Sequence, residues 1–196
     1  MSRPDASVRQ KTFPYTWEQA IEILRADPEH RELIESSYLT SDIIENARRF
    51  AASDEFATTL ALVRRHAPRA SRVLDVPGGN GIATYAFASN GYRLSTVEPD
   101  GSDSVGRGAI RRVLDHHGLA SNVVAAFGEA LPFGDRSFDV VYVRQGLHHA
   151  RDLAKMVSEY ARVLDTGGLL VACREHVVDN YGESLKRFLD SQVDHQ

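Results

Sequence analysis

The chain has 196 residues, 42% of them hydrophobic, with a formal net charge of -4 at neutral pH. That length suits one domain with a proper core, and the acidic balance speaks against a general nucleic-acid binder, which carries a basic patch. The single Cys173 allows neither an intramolecular disulfide nor a zinc-type cysteine cluster, so no metal site is expected and a reducing cytoplasm fits.

Residues 1–11 are polar, lack the apolar core of a signal peptide, and are expected to form a flexible tail. No apolar run approaches membrane-spanning length. Residues 12–68 read as a helical cap. Trp17, Ala20, Ile21 and Leu24 share one face at helical spacing. Asp27 followed by Pro28 opens a second helix, Ser41 or Asp42 a third, and Ser53 or Asp54 a fourth. Trp17 and Tyr38 are expected in the core of this cap.

From residue 69 to 196 the pattern alternates. Strands are predicted over Arg72–Val76, Arg93–Glu98, Asn122–Ala126, Phe138–Arg144 and Leu169–Arg174. Helices are predicted over Ile82–Ser89, Val105–His117 and Asp152–Leu164. This rhythm implies an α/β fold, with a parallel sheet covered by helices on both faces.

The first strand carries the most information. Val73-Leu74-Asp75-Val76 runs straight into Pro77-Gly78-Gly79-Asn80-Gly81, and an apolar helix follows. Ligands sit where such strands end, and glycines admit them closely. A dinucleotide fingerprint needs a third glycine where Thr84 stands, and Asp75 would repel a pyrophosphate. A nicotinamide-dependent oxidoreductase is therefore the weaker reading. Glu98 ends the second strand, where a carboxylate accepts hydrogen bonds from ribose hydroxyls. Asp75, the glycines and Glu98 together describe a nucleoside with a cationic tail and no phosphate.

This constellation resembles the class I S-adenosylmethionine-dependent methyltransferases, of the small-molecule, type 11 kind. Their loop D-x-G-x-G-x-G is met by Asp75, Pro77, Gly79 and Gly81, with Pro77 as a variant of the first glycine. Leu131-Pro132-Phe133 through Ser137-Phe138-Asp139-Val140-Val141, then Leu147-His148-His149, then Glu159 through Gly168 follow the family's later segments in order. The resemblance implies a Rossmann-like open sheet of order 3-2-1-4-5, S-adenosylmethionine as cofactor and S-adenosylhomocysteine as product. It also implies a small-molecule acceptor; nucleic acid and membrane are not expected as partners, given the acidic balance and the lack of a long apolar run.

By position, the resemblance assigns Asp75, Pro77, Gly78, Gly79, Gly81, Glu98, Glu129, Ala130 and Leu131 to the cofactor, with Arg144 and Gln145 beside its methionine end. Phe127 stands where the family often has an adenine-binding Asp, so adenine packs against Phe127 or Leu131, with Glu129 the nearest acid. His148 and His149 are the candidate acid–base residues, since histidine titrates near neutrality. His116, His117 and Cys173 read as structural. Arg174, Glu175 and His176 face either the substrate or solvent.

The family ordinarily adds a helix and antiparallel strands after the fifth strand. Here Tyr181 to Leu189 is expected to begin such a helix with no later strand to follow, so either the chain is a truncated form or the fifth strand is an edge covered by a second copy or a partner. A cofactor-binding interaction module without turnover is the alternative reading.

Overall fold

A computed structural model describes residues 15–175. The tail expected over residues 1–11 and the helix expected after Tyr181 lie outside the described residues.

The cap is built by local capping. Thr16 and Gln19 form a reciprocal capping box that starts α1 (Trp17–Ala26). Asp27 accepts from the Glu29 amide and opens a 3-10 turn, Pro28–His30, which runs into α2 (Arg31–Ser36). Asp42 rather than Ser41 caps α3 (Ile43–Ala51), and Ser53 rather than Asp54 caps α4 (Asp54–His66). Trp17 departs from expectation. It is 44% exposed, because α1 turns only Ile21 fully inward and no described element covers the Trp17 side.

The remainder alternates as β1 (Arg72–Asp75), α5 (Ile82–Ser89), β2 (Arg93–Val97), α6 (Arg107–His116), β3 (Asn122–Val124), β4 (Phe138–Arg144), a 3-10 turn (Leu147–His149), α7 (Leu153–Val163) and β5 (Leu164–Cys173). All neighbours pair in parallel, in the order β3-β2-β1-β4-β5 expected from the sequence. β5 begins at Leu164 rather than Leu169. Phe138 pairs with Leu164 and Val140 with Leu169, so 165–168 bulges opposite Asp139, with Gly167 at φ +78 turning the chain.

Alternation along β1 and β4 sends side chains to opposite faces. Val73, Val140 and Tyr142 join Phe50, Phe56 and Phe87 beneath the cap helices, α5 and α6. Leu74, Val141 and Val143 pack with Met156 and Tyr160 beneath α7. Edge contacts among Phe50, Phe56, Phe87 and Tyr142, with centroids 5.6, 5.1 and 5.2 Å apart in turn, tie cap to sheet. Among the described residues β5 pairs only with β4, so its outer side is an edge.

At the amino ends of the strands, the Arg72 guanidinium bridges Asp139 and Asp165. Burial pushes the Asp139 carboxyl up, but Arg72 and the amides of Ser71 and Arg72 outweigh it and hold the group at about 2.

Candidate functional site

β1 ends in a buried acid. Asp75 Oδ2 accepts from Thr84 Oγ1 at 2.7 Å, while Oδ1 has no partner among the described residues. Burial pushes this carboxyl up to about 7; the Thr84 bond opposes that rise, and the nearby Glu98 adds to it.

The loop that follows is shaped by close approaches. The Val76–Pro77 peptide is cis. The Gly78 amide donates to the Val97 carbonyl at 2.9 Å, and a Cβ on Gly78 would lie 2.3 Å from Thr96 Cγ2. Gly81 adopts φ +88, and a Cβ there would lie 2.9 Å from Ile110 Cα, so α6 needs the glycine to pack against the loop. Gly79, at φ +51, turns its amide onto Glu98 Oε2 at 2.8 Å. The other Glu98 oxygen accepts from the Asp100 amide at 2.8 Å. The acid of β2 and the loop of β1 are therefore one hydrogen-bonded unit. Burial pushes Glu98 up to about 7, against the two amide bonds. Its oxygens retain lone pairs for further donors. Asn80, in the same loop, reaches out to the cap and donates to the Tyr38 carbonyl at 2.6 Å.

Beside this unit lies a cavity of about 60 Å³, at the carboxyl ends of the strands, walled by Val76, Pro77, Val97, Phe127, Glu129 and His149 among others. Phe127 stands 53% exposed at its rim, with the Arg151 guanidinium 5.1 Å over the ring. Glu129 accepts from the Arg151 amide at 2.8 Å. The buried Tyr160 hydroxyl sits beneath Gly128 with no partner among the described residues. A larger hollow of about 250 Å³ lies at the opposite end of the sheet, around His66, Asp139 and Asp165, far from every predicted site residue.

The structure divides the predicted residues. Asp75, Pro77, Gly78, Gly79, Gly81, Glu98, Glu129 and His149 meet around the loop and cavity. Leu131 does not line that cavity: its side chain enters the core beneath α7 and its amide donates to Glu159 Oε2 at 2.8 Å. The Ala130 amide is taken by the Phe127 carbonyl. Arg144 is engaged elsewhere too. Its Nε donates to Glu55 Oε1 at 2.6 Å, and its guanidinium lies over Phe50 and Tyr38, so it braces the cap against β4. Gln145, at φ +52, donates its amide to the Cys173 carbonyl and accepts from Arg144 through its side chain.

The two histidines separate. His149 faces the cavity, whereas His148 Nδ1 lies 3.0 Å from Glu175 Oε2. Glu175 Oε1 accepts from the amides of Gly146 and Leu147 at 2.7 and 3.0 Å. Cys173 is a half-buried thiol donating to the Tyr142 hydroxyl, and burial raises its pKa. His117 closes α6 and stacks on Tyr85.

Sequence reasoning missed Thr84, Asn80, Glu55 and the use of Glu175. Thr84 carried a usable signal: a lone polar residue on the inward face of an otherwise apolar helix start.

A family model described as a methyltransferase domain matches residues 74–172, the stretch from β1 to β5 that builds this loop and cavity. The chain belongs to that family. The methyltransferase domain shares 38% identity over 106 residues with the ubiquinone/menaquinone biosynthesis C-methyltransferase UbiE of Proteus mirabilis, covering 53% of this chain and 42% of that protein. It shares 32% over 105 residues with a demethylmenaquinone methyltransferase of Thermobifida fusca, covering 52% and 42%. The chain thus spans about two fifths of the length of these curated relatives. Among solved structures, YcgJ of Bacillus subtilis matches at 28% identity and a TM-score of 0.52, over 59% of this chain and 50% of that one. A putative methyltransferase from Bacillus halodurans matches at 27% and 0.54, over 68% and 56%.

The family's methyl donor is S-adenosylmethionine, and the residues present fit it. Glu98 offers paired carboxylate oxygens for ribose hydroxyls. Asp75 holds an unpartnered buried oxygen behind the loop, in reach of a cationic group's field. Gly79 leaves open space where a Cβ would stand. No helix among the described residues is long and apolar enough to cross a membrane.

Proposed function

We propose that this chain binds S-adenosylmethionine and catalyses transfer of its methyl group to a small-molecule acceptor. The observation that carries the reading is the joined unit of Gly79 and Glu98, with Asp75 buried behind it. It presents carboxylate to a ribose and negative charge to a sulfonium, and offers nothing to a pyrophosphate.

When bound, the sulfonium supplies an electrophilic methyl group. The protein's task is then alignment and exclusion of water. Glu98 fixes the ribose, the glycine loop lets the backbone approach closely, and the cavity beside Phe127 and Val97 takes the adenine. Phe127 stacks on the base where an Asp would have bonded it. His149, on the cavity side, or its neighbour His148 accepts the proton that the acceptor sheds. The likeness to the quinone C-methyltransferases covers the cofactor half, so it supports the donor and leaves the acceptor to the cap. The acidic balance of the chain favours a small acceptor over nucleic acid, and a lone cysteine suits the cytoplasm.

Calorimetric titration of the folded chain with S-adenosylhomocysteine, with NAD as control, tests the reading. Micromolar binding is expected, lost in Asp75→Ala and Glu98→Ala. A folded, monodisperse sample that binds neither S-adenosylhomocysteine nor S-adenosylmethionine refutes it.

A further inference from the structure

We propose that the Tyr160 hydroxyl selects the base of the bound nucleoside, accepting a hydrogen bond from the exocyclic amine of adenine. The proposal rests on the methyl-transfer reading above and adds a specificity-determining residue to it.

Tyr160 lies on the inward face of α7 and is 0% exposed. Its ring belongs to the core that Met156 and Val163 share with β1 and β4. Its hydroxyl is placed differently. It reaches the wall of the cavity beside the cofactor loop, among Val97, Phe127, Gly128 and Met156. A Cβ on Gly128 would lie 2.8 Å from this oxygen, so glycine lets the chain after β3 close over it. The oxygen has no partner among the described residues. An unpartnered buried hydroxyl destabilises a fold, and phenylalanine would fill the same space without it. Packing therefore accounts for the ring and not for the hydroxyl. The missing partner is one that an occupant of the cavity can bring.

Burial, with the Glu129 and Glu175 carboxylates nearby, raises the hydroxyl's pKa above the ordinary tyrosine range. At neutral pH it is a neutral phenol, which both donates and accepts. Three hydrogen-bonding side chains line the cavity: Glu129, His149 and Tyr160. His149 is exposed and Glu129 half-buried, so water can replace a bond that either makes to a ligand. Tyr160 is fully enclosed. A buried polar atom discriminates most strongly, because a ligand lacking the matching group leaves it unsatisfied.

The cavity, at about 60 Å³, is smaller than a purine, so it receives an edge of the base while the ring lies against Phe127 at the rim. The amine is the only N–H donor on adenine, and its edge is the one that needs an acceptor. Phe127, one residue before Gly128, has no polar side-chain atom to offer it. The hydroxyl beneath Gly128 supplies the acceptor from the other side of the chain.

Calorimetry on the full chain tests this with two ligands and two proteins. The ligands are S-adenosylhomocysteine and its analogue with hydrogen in place of the 6-amino group. The proteins are wild type and Tyr160→Phe, which keeps the ring that fills the core; thermal denaturation without ligand checks that it folds. Wild type should bind the analogue about fivefold more weakly, the worth of one ordinary hydrogen bond. Tyr160→Phe should lose the same factor toward S-adenosylhomocysteine and bind the two ligands equally. A tyrosine with a merely structural role would leave the preference for the amine in place. Wild type that binds both ligands equally, or a variant that keeps the wild-type preference, overturns the proposal. Failure of the parent reading is distinguishable, because it appears as a folded wild type that binds neither ligand, and it takes this proposal with it.

Discussion

The Asn80 side-chain amide, in the loop after β1, donates to the Tyr38 carbonyl of the cap at 2.6 Å. Tyr38 itself holds a left-handed backbone, at φ +59, so the carbonyl is presented at some conformational cost. The bond couples the loop that receives the cofactor to the element that covers it. Asn80→Ala should lower stability by about 1 kcal/mol, since it strips a half-buried acceptor of its donor. It should weaken S-adenosylhomocysteine binding in parallel. Urea denaturation and calorimetry measure the two, and unchanged affinity would show that cap and loop act independently.

Asp75 and Glu98 make stability depend on pH. Both carboxyls are raised by burial to about 7 from their ordinary values of 3.8 and 4.5. The folded chain therefore binds more protons than the unfolded one between those limits, and stability falls as pH rises through the window. Asp75→Asn removes one of these groups. It should be the more stable protein above neutrality, by on the order of 1–3 kcal/mol, and should flatten the fall. A pH series of denaturation curves with no difference between the two proteins would contradict the buried, raised Asp75.

Cofactor binding should run against those raised values. Ribose hydroxyls donate to ionised Glu98, and a sulfonium favours ionised Asp75, so binding expels protons from groups that hold them in the empty site. Calorimetry at about pH 6.5 in buffers of differing ionisation enthalpy should report net proton release. Affinity should rise between mild acid and neutrality. Proton uptake would be the wrong sign.

Arg144 and Glu55 discriminate between a brace and a ligand-binding role. Their side chains are 8% and 20% exposed, joined at 2.6 Å. Arg144→Met leaves Glu55 half-buried without its main partner and should cost about 3 kcal/mol. A double-mutant cycle with Glu55→Gln should show strong coupling. If Arg144 touched the cofactor instead, the Met variant would lose affinity while keeping its stability.

Tyr160→Phe should stabilise the protein by about 1 kcal/mol. The change removes a buried hydroxyl without a partner among the described residues and keeps the ring that packs on Met156. Thermal denaturation is sufficient to measure it, and a destabilised variant would show that the hydroxyl is satisfied in solution.

Much of this was legible in the sequence because it is local. Strand ends announced themselves in Asp75 and Glu98, and the caps at Asp42 and Ser53 followed from residue chemistry beside an apolar run. The sheet order followed from the family resemblance. What stayed hidden joins distant segments. Arg144 looked like a site residue because it closes β4. Its partner Glu55 lies in α4, and nothing in either neighbourhood announces the other. Leu131 was expected at the ligand by position, yet its backbone N–H donates a hydrogen bond to Glu159 in α7 and its side chain enters the core. Glu175 appeared as one of several charges after a strand. Its meaning comes from three donors in a turn that only the fold brings near.

The strand β1 joins two ends with opposite tolerance of acid. At its start Arg72 holds Asp139 at about 2, while at its finish Asp75 is raised to about 7. At about pH 5 the upper carboxyls are neutral and the lower ion pair is still charged, so the scaffold stays intact while its hold on a nucleoside slackens. Protein isolated from cells at neutrality should carry its nucleoside along. A brief mild-acid wash should then empty it without unfolding it, giving a clean starting point for every titration above.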